Sequence, residues 1–273
     1  MAVELEITDG TPWYLSPNVW VVADPSDTTE SLPVAGTPCY IKARVKNNGS
    51  TSATNATVNF YWGNPAAGVN RSTATFVGQA FVSLSPGEEQ DVLCLTPWVP
   101  IFLNDGHECI LAEAFHASDP LPASLDFNVP TDRHVAQRNL SVIMAAERMF
   151  FMNFEMHNNQ REPRKLTARV AQVPIEKIIK SFPLIEKTYK LSGKKEGKLL
   201  KSVFTNNRCG GKDFEQPANQ EEAFELTPYG KKQMTLTGEI DGDYVFLLIS
   251  QYAGKTETGG LGILIINPKN NKI

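Results

Sequence analysis

Acid–base chemistry in this chain would depend on its four histidines, His107, His116, His134 and His157. A nucleophilic mechanism needs a serine or cysteine beside a histidine that an acid holds in place. None of the four lies in a nucleophile elbow or another recognised motif, so each is predicted to be a structural or surface residue. The sequence therefore predicts no catalytic residue and no cofactor, and a hydrolase with a hidden site is the third interpretation of function.

Two short motifs partly match ligand-binding loops. Asp241-Gly242-Asp243 lacks the further acidic ligands and the closing glutamate of a calcium loop, so it predicts a hairpin turn. Gly210-Gly211-Lys212 lacks the upstream glycine and the following Ser or Thr of a phosphate loop. No C-x-x-C motif or Cys/His cluster has zinc spacing. The sequence therefore predicts no metal site.

A basic segment from Ile175 to Lys201 is the strongest signal for a binding surface. Its eight lysines, against three glutamates, are Lys177, Lys180, Lys187, Lys190, Lys194, Lys195, Lys198 and Lys201, and the last six are predicted to form an interaction surface. Interleaved aromatic residues would suit a polyanion. The segment contains no arginine, the residue that binds phosphate best through two parallel hydrogen bonds, and the next arginine along the chain is Arg208. An acidic protein or an anionic lipid is therefore favoured over nucleic acid as the partner. A solvated loop is the alternative.

The N-terminal residues 1–17 form a predicted arm or edge strand. Val3, Leu5 and Ile7 alternate with polar residues, which indicates a short strand that could add to a neighbouring molecule. These three residues are therefore part of the predicted interaction surface.

Exposed aromatic residues on sandwich loops are what a carbohydrate-binding or adhesion module needs. Trp13, Tyr14 and Trp98 are available for this role, so glycan binding is the alternative function. Trp98 lies between two prolines, and a packing role explains it equally well.

Charge is distributed unevenly along the chain. Residues 1–147 contain 6 Lys/Arg and 16 Asp/Glu, a net charge of −10, whereas residues 148–273 contain 20 and 14, a net charge of +6. Opposite charges on the two halves could stabilise an intrachain interface or attract head-to-tail neighbours at low salt. Uneven surface composition without a function is the plain alternative.

Length and composition indicate a folded chain with two domains. The 273 residues suffice for two hydrophobic cores, and 41% hydrophobic residues exclude disorder. The longest apolar runs are far shorter than the ~20 residues of a membrane span. The N-terminus lacks the basic and apolar regions of a secretory signal, so we expect a cytoplasmic protein, release by a leaderless route, or a trimmed leader.

The strands that must position these residues follow a two-residue hydrophobic period. Apolar and polar residues alternate in two runs of residues 37–63, separated by a turn at 47–49. The inward positions are Cys39, Ile41, Ala43, Val45, Val58, Phe60 and Trp62. Predicted strands recur through the first 143 residues, and the last of them covers 135–143. No part of this region has the 3.6-residue hydrophobic period of a helix, so the pattern indicates a β-sandwich.

The second half also reads as strands. An alternating Phe/Met run at 150–156 predicts a core strand, a proline-initiated helix is expected from Pro174 to about Pro183, and a loop over 251–260 joins two apolar strands. We predict an all-β chain of two immunoglobulin-like β-sandwich domains in tandem, with one short helix in the second. The predicted boundaries are 1–17, 18–147 and 148–273, and the last domain carries the lysine-rich insert.

Bacterial CARDB-type immunoglobulin-like domains resemble this chain over about residues 18–143. The similar runs are G-T-P-C-Y-I-K-A-R-V-K-N-N-G, L-S-P-G-E-E-Q-D-V, G-H-E-C-I-L-A-E and A-Q-R-N-L-S-V. The resemblance implies fold rather than function, because these positions maintain the sandwich. His107 stands where a corner tyrosine is expected, and such modules usually belong to exported proteins, whereas no leader is visible here.

Cys39 and Cys109 fall on strands that would face each other in an immunoglobulin-type sandwich. They are predicted to be either two buried thiols or an inter-sheet disulfide. Together these features predict a non-enzymatic binding or assembly module, a component of a larger bacterial or phage-like assembly whose partner is another protein or a second copy of the chain.

Overall fold

The computed structural model describes residues 2–101, 108–123, 127, 129–205 and 221–268. They form two compact units, unit 1 with residues 1–63 and 70–139 and unit 2 with residues 64–69 and 140–273. The domain boundaries predicted at residues 18 and 148 stay predictions. No helix in these described ranges is long and apolar enough to cross a membrane.

The described elements, in chain order, are β1 (Leu5–Glu6), β2 (Val19–Val22), β3 (Tyr40–Asn47), β4 (Ala53–Gly63), β5 (Ala66–Ala67), β6 (Thr75–Leu84), β7 (Glu89–Leu93), β8 (Cys109–Phe115), β9 (Val135–Arg138), β10 (Leu140–Met144), β11 (Met149–His157), β12 (Arg164–Gln172), α1 (Glu176–Ile179), α2 (Pro183–Tyr189), β13 (Leu199–Thr205), β14 (Glu221–Leu226), β15 (Lys231–Ile240), β16 (Tyr244–Ala253) and β17 (Thr256–Ile266). The predicted all-β sandwich class is confirmed.

Unit 1 is a sandwich of two antiparallel sheets. In one sheet β3 pairs with β1, β2 and β7, and the other has the order β6-β4-β8-β9. The core of unit 1 follows from the alternation of apolar and polar residues along its strands. Ile41 and Val45 of β3 are buried in one cluster with Val58 and Phe60 of β4. Trp62 is half-buried and packs on the same core, as its inward position in the sequence predicts.

Unit 2 is a second sandwich. One sheet has the order β10-β17-β16-β12-β14, with β10 parallel to β17, and the other has the order β13-β15-β11-β5. The alternating Phe/Met run of β11 is buried in the core, as expected, and Phe154 is 1% exposed. Strands β16 and β17 contribute the nearly continuous apolar runs that a sheet buried on both faces requires.

Three local predictions change in the structure. The strand predicted over 135–143 is divided, since β9 pairs with β8 in unit 1 and β10 pairs with β17 in unit 2. The predicted helix is two short helices, because Pro183 begins α2 rather than ending the first helix. The predicted loop 251–260 is mostly strand, with a tight turn at Gly254, whose φ is +62°.

The described cysteines are free thiols. Cys39, Cys94 and Cys109 are all buried, and burial raises the pKa of Cys39 to about 12 and raises the pKa of Cys94 and Cys109 as well. Cys39 Sγ lies 3.4 Å from the carbonyl oxygen of Trp98. Of the two predicted states for Cys39 and Cys109, the structure has the buried thiols and not the disulfide.

Buried thiols of raised pKa should resist alkylation while the chain is folded. We expect iodoacetamide at neutral pH to leave Cys39, Cys94 and Cys109 unmodified, and to modify all three after denaturation without a reductant. Peptide mass spectrometry measures this directly. Resistance of Cys39 and Cys109 that survives denaturation, and is lost only on reduction, would show a disulfide instead.

Candidate interaction surface

The N-terminal strand is part of unit 1 rather than an arm. Leu5 and Glu6 pair with the end of β3, and Leu5 N–H donates to Asp119 Oδ2 at 2.7 Å. Val3, Leu5 and Ile7 are 4%, 0% and 1% exposed and lie in the core. The prediction that they form an interaction surface is therefore wrong for this fold, because the sheet of the same chain already uses their backbone and side chains.

The predicted aromatic platform is mostly buried. Trp98 is 4% exposed and packs in the core of unit 1, and Tyr14 is fully buried. Trp13 is half-buried, with its ring edge-on to Tyr14 at 5.3 Å between centroids. A sugar could stack on one of these three rings at most, so the structure adds no support for glycan binding.

The lysine-rich segment is folded onto unit 2 by apolar anchors. Ile178 of α1, Phe182, Ile185 of α2 and Leu191 are each 1–4% exposed, and the turns between them carry the lysines outward. Seven of the eight lysines are exposed, and Lys194 is half-buried, with its Nζ donating to the carbonyl of Tyr189 at 2.6 Å. The segment therefore has a fixed backbone with charged ends in solvent.

A carboxylate turn holds the end of this segment in place. Asp243 Oδ2 accepts the N–H of Lys195 at 2.8 Å, and Asp241 Oδ1 accepts the N–H of Lys198 at 2.5 Å. The backbone N–H groups of Asp241 and Asp243 donate back to the carbonyls of the same two lysines. The turn between β15 and β16, predicted as a hairpin turn rather than a calcium loop, thus positions two lysines of the predicted interaction surface.

Gly197 permits this close approach. Its N–H donates to the carbonyl of Tyr244 at 2.8 Å, and a Cβ at this position would lie 1.8 Å from the carbonyl oxygen of Asp241. No residue with a side chain fits without moving the backbone. The close contact at Gly197 therefore helps to fix the positions of Lys195 and Lys198 relative to the turn at 241–243.

The lysines of this segment have no ionic partner within the described part of the chain. The ion pairs of unit 2 in these ranges involve Arg169, Lys231, Lys232 and the pair His157–Glu155, and none includes a lysine from 177 to 201. In unit 1, by contrast, all four arginines of residues 1–147 form ion pairs with carboxylates. These pairs are Arg44–Asp91, Arg71–Glu113, Arg133–Asp119 and Arg138–Glu30.

The described histidines bond to carboxylates or to backbone. His134 Nδ1 lies 2.6 Å from Asp132 Oδ1, and His157 Nε2 lies 2.9 Å from Glu155 Oε2. His116 Nε2 lies 3.2 Å from the carbonyl of Thr54. Ser118 meets His116 only through its backbone N–H, which donates to Nδ1 at 3.1 Å. None of these contacts brings a serine hydroxyl or a cysteine thiol to an imidazole, so the hydrolase interpretation gains no support from them. His107, Arg208, Cys209 and the motif at 210–212 lie outside the described residues.

The pKa values in these pairs reflect the partners. Burial alone would lower the pKa of His134, but the hydrogen bond to Asp132 and the charge of Asp119 raise it. The hydrogen bond from His157 holds the pKa of Glu155 below its ordinary value. Among the described residues, no group of three or more His, Cys, Asp or Glu side chains is placed to hold a metal ion.

Glu113 is the buried charge that sequence analysis missed. Its carboxylate, 1% exposed, accepts from Arg71 Nε at 2.8 Å, from Tyr61 Oη at 2.6 Å and from Asn59 Nδ2 at 3.2 Å. The Arg71 guanidinium lies over the ring of Phe127, 4.9 Å from its centroid. Alternation along β4 and β8 would have placed Asn59, Tyr61 and Glu113 on one face, but nothing in the sequence indicates that Arg71 covers them.

Comparison with known proteins gives distant likenesses. The sequence matches no protein-family profile and no curated protein. Among solved structures, the CARDB domain of a Pyrococcus furiosus protein, in complex with di-metal ions, is 18% identical, covering 50% of this chain and 85% of that one at a TM-score of 0.30. The CBD12 fragment of CALX1.2 is 15% identical, covering 80% and 77% at a TM-score of 0.19. Likenesses at this level carry no inference about function.

Proposed function

We propose that the chain is a non-enzymatic assembly module whose copies associate head to tail, with the lysine-rich segment of one copy against unit 1 of the next. The observation that carries the proposal is the charge on the two halves, +6 and −10, together with eight lysines that have no ionic partner within the described residues. A heterologous contact of this kind generates open chains or rings of subunits, as a structural component requires.

Unit 1 presents the complementary charge. Its arginines are occupied by carboxylates, which leaves acidic groups in excess. Hydrogen bonds from Ser26 keep the pKa of Asp24 below its ordinary value, and the N–H of Ser85 does the same for Glu88. Asp24 is exposed and Glu88 is half-buried, and both carboxylates are charged at neutral pH. They can meet ammonium groups of a neighbour without losing a partner of their own.

Salt should weaken the proposed head-to-tail contact by screening its charges. We expect light scattering to show oligomers at about 0.05 M NaCl that dissociate at about 0.5 M, because the Debye length falls from roughly 14 Å to roughly 4 Å. The variant Lys195→Glu/Lys198→Glu should abolish association at low salt, since both positions are held by the turn at 241–243.

A matched control separates position from net charge. Lys165→Glu/Lys255→Glu removes the same charge at two exposed lysines outside the segment and should leave the oligomers intact. A chain that is monomeric at low salt, or oligomers that both double variants weaken equally, would contradict the proposal. Binding of the wild-type chain to anionic vesicles or to an immobilised glycan array, without self-association, would favour the lipid or carbohydrate alternative.

A further inference from the structure

Strand β6 is a long sheet edge without the charged residues or prolines that commonly protect an edge from pairing. It lies at the end of the order β6-β4-β8-β9, and no described strand other than β4 pairs with it. Its ten residues, TFVGQAFVSL, include no charged residue and no proline. Natural sheet edges are normally blocked by such residues. The described edges β7 and β14 follow that rule, with two and three acidic residues respectively. The described edges β2 and β10 are uncharged too, but they have only four and five residues.

The outer face of β6 exposes two phenylalanines. Phe76 and Phe81 are 52% and 56% exposed. They are five positions apart in the strand, an odd number, so strict alternation would place them on opposite faces. A β-bulge at Val77 corrects this, because Phe60 pairs with Gly78 while Tyr61 pairs with Phe76. The ring of Phe76 then lies against Tyr61, 5.6 Å between centroids, on the same face as Phe81.

The surroundings of this edge are neutral within an acidic half. Neither the eleven residues of β4 nor the ten of β6 include a charged side chain, although residues 1–147 carry a net charge of −10. An identical strand can therefore lie opposite β6 without bringing like charges together, which an acidic edge such as β7 would not permit. The local charge thus suits a second copy of the same strand.

We propose that β6 pairs antiparallel with β6 of a second copy about a two-fold axis near Phe81. This register places Phe81 opposite the partner's Phe81 and Ala80 opposite the partner's Val82, so outward and inward faces match across the new pair. The two four-stranded sheets become one continuous sheet. An isologous dimer contact of this type is distinct from the head-to-tail contact proposed above and does not use the lysine-rich segment.

High salt separates the two contacts. We expect sedimentation or light scattering at about 0.5 M NaCl to show a dimer, because backbone pairing and apolar burial are not screened while repulsion between the acidic units is. Phe81→Lys should raise the dimer dissociation constant at least about 100-fold, since it removes an aromatic pair and faces one ammonium group with another. Phe151→Lys, at a residue of unit 2 that is 60% exposed, is the matched control and should change nothing.

A second variant and a crosslink keep the test independent of folding. Gln79→Lys leaves Phe81 in place and should also weaken the dimer. Circular dichroism verifies that each variant is folded, including Phe151→Lys in unit 2, which has no tryptophan. In a Cys209→Ser background, Phe81→Cys should form a disulfide-linked dimer on oxidation, whereas Phe151→Cys should not. A wild-type monomer at high salt, or a dimer unaffected by both lysine variants, overturns the proposal.

The outcomes also distinguish the two proposals. If the low-salt oligomers form and the high-salt dimer does not, the β6 contact fails and the charge-driven assembly stands. If the wild-type chain forms the high-salt dimer but no larger species at low salt, the charge-driven assembly fails and the β6 contact stands.

Discussion

Replacing Glu113 with glutamine is expected to destabilise unit 1 by about 3 kcal/mol, because the substitution removes the buried carboxylate that accepts from the Arg71 guanidinium. The Arg71 side chain is only 16% exposed, so water replaces the carboxylate only in part. Glutamine also brings an amide N–H₂ group toward donors that now point at Glu113, namely Tyr61 Oη and Asn59 Nδ2. The size of the effect depends on desolvation, not on the loss of one hydrogen bond.

Tryptophan fluorescence measures this change in unit 1 alone. All four tryptophans, Trp13, Trp20, Trp62 and Trp98, belong to unit 1. A urea titration followed at their emission therefore reports the unfolding of that unit, even where unit 2 unfolds separately.

An exposed-acid control and a double variant test whether burial of the Arg71–Glu113 pair causes the loss of stability. Glu89→Gln removes an acid that lies 3.7 Å from Arg44 and is 49% exposed, so it should change stability by less than about 0.5 kcal/mol. Adding Arg71→Met to Glu113→Gln should restore part of the loss, because no unpaired charge remains. A cost below about 1 kcal/mol for Glu113→Gln would show that the pair is more hydrated than its burial indicates.

Much of the fold could be predicted from alternation. The inward residues of residues 37–63 and the Phe/Met run of β11 are core because a strand has a period of two and each sandwich buries one face of each sheet. The prediction that the N-terminal strand contacts a neighbouring molecule fails because alternation does not specify the partner strand. Alternation at Val3, Leu5 and Ile7 identifies a strand but not the sheet it joins, and the sheet of its own chain satisfies it.

The two proposed interaction surfaces depend on features that a periodic hydrophobic pattern does not contain. The bulge at Val77 changes which face Phe76 occupies, and no residue in that run marks it. The carboxylates of the turn at 241–243 are visible as a short motif, but their hydrogen bonds to Lys195 and Lys198 join segments more than forty residues apart. The basic character of 175–201 was evident from composition, whereas its fixed backbone was not.

The stability of unit 1 should fall as pH rises from about 5 to about 8, and Asp9→Asn should remove much of that fall. Burial, followed by the charges of Glu6 and Asp132, raises the pKa of Asp9 to about 8. Its Oδ1 atom is buried and has no hydrogen-bond partner within the described residues. The ionised carboxylate is therefore unfavourable in the folded chain, and an amide of the same shape avoids the charge.

The sign follows from proton binding in the two states. Unfolded Asp9 releases its proton near the ordinary value for aspartate, 3.8, and folded Asp9 near 8, so between these values folding takes up a proton and a rise in pH opposes it. His134 acts in the same direction, because its raised folded pKa gives stability that is present below its unfolded pKa and lost as pH rises through the folded one. Asp132, with a lowered pKa, acts oppositely, but only in acid.

The expected gain for Asp9→Asn is about 1–2 kcal/mol at pH 8 and close to zero at pH 5, smaller than the full pKa shift implies because solvent reaches part of the group. Urea titrations of tryptophan emission at the two pH values measure it, and Glu4→Gln, which neutralises an exposed acid nearby, is the control. A variant with the same pH slope as the wild type would show that Asp9 is ionised in the folded chain at neutral pH. The slope that remains in Asp9→Asn would then come from His134 and from Glu108, whose pKa burial also raises, so a His134→Gln variant should reduce it.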